Sequence, residues 1–432
     1  MSRRVVITGI GVASPIGIGS ATFWKNLIAG EVGVRRITQF DPSGFPSQIA
    51  GEVPAYKIGE HVPKSYRKGT KVMARDIELA VIAAEDAFND AGLQTKAHTE
   101  SPTIDLARFG CTIGAGIISV DLNELTAALS QSAIDGKFDI KKWGSEGMQK
   151  LTPLWLLKYL PNMLSCHVTI VHGLRGPSNT ITCADASSHL AIGEAFRTIQ
   201  RGGADLAICG GAETKIQPMG LMRQCLMKRV STAHNEDPDQ AVRPFDAAAT
   251  GSCVGEGGGL FILESLEHAE KRGAKIYAEL VGFGASQDVY KITAPDPSGH
   301  SYGKAITKAL AEANLPPTAV NLVIPAGLGI PSHDRAELEG LHNVFGGGLD
   351  RVPLAPIKGQ IGSLAAGSGV DAAAAVLALH HNTIPAAVNT TTVIDGKTLN
   401  VSTKPRDAKI DVAVSTVYSL GGQNAALVFK KL

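Results

Sequence analysis

The sequence predicts an α/β fold in layers, with buried strands and helices outside them. Three observations carry this. Short β-rich apolar runs alternate with longer Ala-rich runs. The longer runs space their apolar residues at the helical period. No low-complexity linker interrupts the chain, so its parts share one body.

The elements follow in order. Residues 5–10 read as a strand, Val-Val-Ile-Thr-Gly-Ile. Residues 76–91 read as a helix, with Ile77, Ala80, Val81, Ala84 and Phe88 on one face. Strands are predicted at 109–113, 206–209, 260–263, 278–283, 322–324 and 425–429. Helices are predicted at 187–201 and 370–381. Residues 136–152 and 233–242 are polar loops. Ile7-Thr8-Gly9-Ile10-Gly11 is echoed by Leu280-Val281-Gly282-Phe283-Gly284, each opening a strand–Gly–Gly–loop unit. The echo suggests two similar halves, 1–257 and 258–432, with a turn marked at Arg272-Gly273.

Composition narrows the function classes. With 44% hydrophobic and 19% charged residues, the chain is compact rather than disordered. A net charge of +1 without a basic stripe gives nucleic-acid binding no support. No apolar run is long enough for a membrane span. The N-terminus has no signal-peptide pattern, so a cytoplasmic protein is expected. The six Cys are scattered singly and no Cys/His set has zinc spacing, so reduced thiols and no metal or cofactor are expected.

Several segments resemble the β-ketoacyl-acyl-carrier-protein synthase family. They are the 5–17 run, Arg243-Pro244-Phe245-Asp246 with Gly251 and Val254-Gly255-Glu256-Gly257, the 263–278 run, Gly210-Gly211-Ala212-Glu213, and Gly421-Gly422-Gln423-Asn424. The resemblance runs in order from near residue 4 to residue 430. It implies a thiolase-like, five-layered αβαβα sandwich of two duplicated halves, and a dimer.

The family's nucleophilic Cys follows a Gly-Pro-Ser turn by a fixed spacing. From Gly176-Pro177-Ser178 that count reaches Asp185, and counting back from Gly202-Gly203-Ala204-Asp205 reaches it too. Cys183 is the rival, at the cost of a gap on each side. Asp185 is expected as a helix N-cap, with an Asp185–His189 acid/base pair as the alternative. The family's first catalytic His falls on Ala326, and its two pantetheine-binding Thr fall on Leu328 and Ile330. Gly327, Pro331, Asp334 and Glu337 keep their places. His333 is expected as a surface or capping residue. The second His falls on Ser363, five residues after a retained Lys358, whose ion-pair partner by resemblance is Glu337. The gating Phe falls on Leu420. Leu328, Ile330 and Leu420 are expected to fill part of the pocket.

Condensation needs a thiolate to hold the acyl group and His donors for the enolate. The resemblance therefore points to a non-condensing member, similar to the chain-length-factor subunit of type II polyketide systems. Its expected partner is an active ketosynthase in a heterodimer, or a second copy, with the acyl carrier protein as a further candidate. Altered acyl chemistry at Asp185/His189, or an active synthase through Cys183, are the alternatives.

Overall fold

Pairing and packing carry the short apolar runs further than their composition predicts. The computed structural model describes residues 3–432. In chain order come β1 Val5–Ser14, α1 Arg75–Asp90, β2 Phe109–Gly114, α2 Met163–His172 and β3 Ser178–Ile181. Next are α3 Ser187–Gln200, β4 Leu206–Thr214, α4 Pro218–Leu226, β5 Val254–Ser265 and β6 Ala278–Gln287. The chain ends with α5 His300–Glu312, β7 Leu322–Ile324, α6 Pro331–Phe345, α7 Gly369–His381, β8 Val412–Tyr418 and β9 Gln423–Lys430. All the predicted strands and helices form. The helices α2, α4, α5 and α6 and the strands β3 and β8 are additional. The expected loop at 136–152 also holds a short helix, Ile140–Ser145, capped by the Asp139 carboxylate on Lys142 N–H at 2.7 Å.

Strand order shows the duplication. The main path runs β7-β8-β9-β6-β1-β5-β4-β2-β3. Outward from β1, the pairings to β5, β4 and β2 are antiparallel, antiparallel and parallel. Outward from β6, the pairings to β9, β8 and β7 repeat that sequence. Three residue pairs, Val5↔Leu280 to Ile7↔Ala278, join the two sets. The division expected at 257/258 falls inside β5, whereas the Arg272–Lys275 turn cuts no element.

The sequence echo is a packing device. A Cβ on Gly9 would lie 2.4 Å from Ala87 O, and one on Gly282 2.1 Å from Ala309 O. Gly11 and Gly284 stand in the same way against Ala83 O, at 1.8 Å, and Ala305 O, at 2.0 Å. In each half two glycines let an Ala-faced helix, α1 or α5, lie directly on the opening strand. Both strands also carry a register shift just before the first of these glycines.

The cores stack in layers. The central one holds α3 and α7 between the inner faces of the two strand sets, Ile7, Phe261 and Cys209 on one side and Ile324, Leu427 and Phe429 on the other. A second core packs α1 and α2 on the opposite face of β1, β2, β4 and β5. A third packs α5 and α6 on the outer face of β7, β8 and β9. The order is αβαβα, as the resemblance implies. No helix among the described residues is long and apolar enough to cross a membrane.

Candidate active site

The turn between β3 and α3 shapes the site. A 3₁₀ turn, Ala184–Ala186, connects them. Ala184 has φ +46°, which for a residue with a Cβ costs about 1–3 kcal/mol. Asp185 sits in the middle of that turn. It is not the expected N-cap: the cap positions are Cys183 and Ala186, and neither the turn nor α3 has a side-chain cap bond. Inside the turn the Asp185 carboxylate is near side chains from other segments. Its Oδ1 lies 3.5 Å from the Ser363 hydroxyl, and its Oδ2 lies 4.0 Å from Arg229 Nη2. Ser368 Oγ donates to the Asp185 carbonyl at 2.6 Å and fixes the backbone.

Asp185 and Ser363 open onto a cavity of about 480 Å³, which Leu420 also lines. Ser363 is held there by its own N–H, donating to Cys253 O at 3.0 Å. Ala326, Leu328 and Ile330 do not line the cavity. They are 3%, 2% and 6% exposed and belong to the outer core with Phe245 and Tyr418. Leu328 and Ile330 therefore do not fill the pocket, against expectation: their loop is drawn into the core by its backbone. The Ala326 and Gly327 N–H groups donate to Glu337 at 2.7 and 2.9 Å. The Leu328 and Phe245 N–H groups donate to Asp334 at 3.1 and 2.7 Å. Burial pushes Asp334 up to about 8 and Glu337 up to about 7.

The expected Lys358–Glu337 pair is not made. Lys358 pairs instead with Asp371 from the first turn of α7, while Glu337 is occupied by the two N–H groups and by the Tyr302 hydroxyl at 2.6 Å. The Asp185–His189 pair is also absent. His189 points into the core, with Nε2 2.8 Å from Ser415 Oγ, and burial pushes it down to about 3. His333 is 6% exposed rather than on the surface, because α6 turns it inward. Its Nε2 accepts from Arg229 Nη1 at 3.4 Å, and burial lowers it to about 4.

The thiols are poorly placed for attack. Cys183 packs with Ala186, Val417 and Ala425 rather than lining the cavity, and burial raises its pKa. Cys253 does line the cavity but is fully buried and pushed up to about 12, so it stays a thiol at neutral pH. All six Cys are free; Cys111, Cys209 and Cys253 are buried and the others partly so.

A model of the β-ketoacyl synthase N-terminal domain matches residues 2–269, and a model of its C-terminal domain matches residues 277–391. The chain belongs to the β-ketoacyl synthase family. It is 33% identical to 3-oxoacyl-[acyl-carrier-protein] synthase 2 of Staphylococcus aureus (strain COL), over all of this chain and 99% of the relative. It is 35% identical to the enzyme of that name in Vibrio harveyi, over all of this chain and 99% of that one. Among solved structures, the ishigamide ketosynthase/chain length factor superposes with a TM-score of 0.86 at 27% identity, over the whole of both chains. A type II PKS ketosynthase, solved with its acyl-carrier protein and a bound hexaketide, gives 0.86 at 26%, again over the whole of both chains. The layers described above are thus the thiolase-like ketosynthase fold.

Within this ketosynthase fold, three wall residues escaped the sequence reading. Arg229 and Ser252 line the cavity from loops, and Glu213 lines it from β4, paired with Lys215 and accepting Ala366 N–H at 2.8 Å. Only Glu213 lay in a quoted motif, and nothing local singles out Arg229. The fold also gathers Glu85, His98 and His172, whose ligand atoms lie within 4.8 Å of one another. Thr95 N–H donates to His98 Nδ1 at 3.1 Å, so the ring proton sits on Nε2, directed at Glu85 Oε1 3.1 Å away. That tautomer makes a hydrogen bond and opposes metal binding through Nε2.

Proposed function

We propose that this chain is a non-condensing member of the family, acting in fatty acid or polyketide biosynthesis as a chain-length-factor-like partner of an active ketosynthase. In this reading Asp185, Ala326 and Ser363 stand where an active member has Cys, His and His. The observation that carries it is the Asp185 carboxylate on the strand-to-helix turn, at the cavity wall. A carboxylate cannot store an acyl group there as a thioester: its acyl derivative is a mixed anhydride, short-lived in water. Its charge also opposes the carboxylate of an incoming malonyl group. No histidine lines the cavity among the described residues, so no imidazole donor faces a developing enolate.

Two surface features support this reading. Among the described residues β3 is an edge strand, paired only with β2, and its first two residues are exposed. Elsewhere on the chain Ile117, Phe138, Ile140, Leu154, Ile170 and Leu226 are each more than half exposed. An open edge with exposed apolar side chains suits a second subunit of the same fold. Lys64, Arg67, Lys68 and Lys71 are exposed close together in sequence, which suits an acidic carrier protein.

Co-expression with an intact ketosynthase from the same organism tests the reading. A 1:1 heterodimer is expected. A stable homodimer that ignores the ketosynthase would sink it. Intact mass after incubation with acyl- and malonyl-carrier protein should show no added acyl group, and acylation of Cys183 would restore the active-synthase alternative.

A further inference from the structure

We propose that Asp185 is the built-in anion of this cavity: its carboxylate is the counter-ion of Arg229 and fills the place that an external carboxylate would otherwise take. The inference stands apart from the non-condensing reading and does not depend on which subunit the chain pairs with.

Three segments meet here. The turn between β3 and α3 carries Asp185, the loop after α4 carries Arg229, and the first turn of α6 carries His333. The Asp185 and Arg229 side chains are 13% and 9% exposed, and Arg229 Nη2 lies 4.0 Å from Asp185 Oδ2. Among the described residues neither has another ion-pair partner. His333 cannot serve as one. Its Nε2 accepts from Arg229 Nη1 at 3.4 Å, so the proton of the neutral ring sits on Nδ1, 3.3 Å from Ser332 Oγ. The acids of α6 beside it, Asp334 and Glu337, are held by the backbone N–H groups of their loop and of Phe245. Glu213 is taken by Lys215. A buried guanidinium that loses its one counter-charge is left stranded, so Arg229 and Asp185 stabilise each other's place in the wall.

Both ends of the pair are anchored. Arg229 N–H donates to Gln224 O at 3.1 Å, and its carbonyl accepts Ser252 N–H at 2.9 Å. Ser368 Oγ holds the Asp185 carbonyl at 2.6 Å, and Ser363 Oγ lies 3.5 Å from Oδ1. The fold itself thus presents the carboxylate to Arg229, as a tethered ligand with no translational freedom to lose. An external carboxylate reaching this wall meets a cation already matched and a like charge beside it.

Thermal unfolding of the full chain in formate tests this, with chloride at the same concentration as the reference for salt effects. Asp185→Ala removes the tethered carboxylate and should lower the melting temperature. Formate should then raise it saturably, by about 2 °C or more at several times its dissociation constant. Formamide, the neutral match, should not. The unaltered chain and Asp185→Ala/Arg229→Met should show no saturable rise with formate. No formate response in Asp185→Ala, or one that the unaltered chain shares, would overturn the proposal. So would an equal response once Arg229→Met is added. If Asp185→Ala does not fold, a double-mutant cycle of Asp185→Asn and Arg229→Met decides. The double variant should then lose less than the sum of the single losses in melting temperature, and additive losses would overturn the pairing.

Discussion

At the scale of single residues, the site is set by which partner each buried charge reaches. Lys358 is 3% exposed and Asp371 is fully buried, and among the described residues each is the other's only counter-charge in hydrogen-bond reach. Lys358→Met should destabilise the protein by about 3–5 kcal/mol, because it strands a buried carboxylate. Removing both charges, as Lys358→Met/Asp371→Leu, should recover much of that loss in urea unfolding; equal losses in the single and double variants would count against the pairing. Asp185 is the other decisive residue. Asp185→Cys places a thiol at the cavity wall, and intact mass should then show one additional iodoacetamide adduct compared with the unaltered chain. Carbon–carbon bond formation should not follow, since Ala326 and Ser363 supply no imidazole; β-ketoacyl product from this variant would defeat that argument. The place of Asp185 on the turn between β3 and α3 was legible because two anchors, one on each side, count to the same position. Arg229 was not, because its importance comes from contacts with Asp185 and with His333, which only the folded chain brings close.

At the scale of elements, glycines decide how closely helices approach strands. Gly284 has no room for a side chain, since its Cβ would meet Ala305 O at 2.0 Å. Gly284→Ala should push α5 off β6 and cost about 1–3 kcal/mol or more. Gly44→Ala, where nothing lies within 4 Å, should stay within about 0.5 kcal/mol. Equal effects, read from unfolding midpoints, would mean that the close approach does not matter. This packing explains what the sequence made visible. Runs with helical period and strands rich in Val and Ile were readable, as was the Gly-x-Gly echo. α6 was hidden because it opens with Pro331-Ser332-His333-Asp334 and uses two of its three acids, Asp334 and Glu337, to hold a loop. Its inward His333 was misread for the same reason. The Lys358 partner was misplaced because Glu337 and Asp371 are both acidic neighbours in the fold, and only the backbone donors at Ala326 and Gly327 decide which one stays free.

At the scale of the whole molecule, buried titratable groups give the fold a pH optimum. Burial raises Asp334 to about 8, Glu337 and Asp76 to about 7, and Asp86 to about 6. These groups keep protons that the unfolded chain has released, so their contribution is complete below the ordinary carboxylate range and is lost as pH rises through 6 to 8. The buried histidines act in the opposite direction. His172 and His189 are lowered to about 3, and His167 and His333 to about 4. Below about 6.5 the unfolded chain takes up protons on them that the fold refuses, which offsets what the carboxylates gain in acid. Above that pH the histidine contribution is complete and only the carboxylate loss remains. The melting temperature should therefore fall from pH 6.5 to pH 8.5, and Asp334→Asn should make the fall shallower, because an amide has no proton to lose. A melting temperature that rises over this interval, or an Asp334→Asn slope equal to that of the unaltered chain, would show that the two loop-holding acids of α6 are ionised in the fold and that the loop at Ala326 is held by charge rather than by neutral hydrogen bonds.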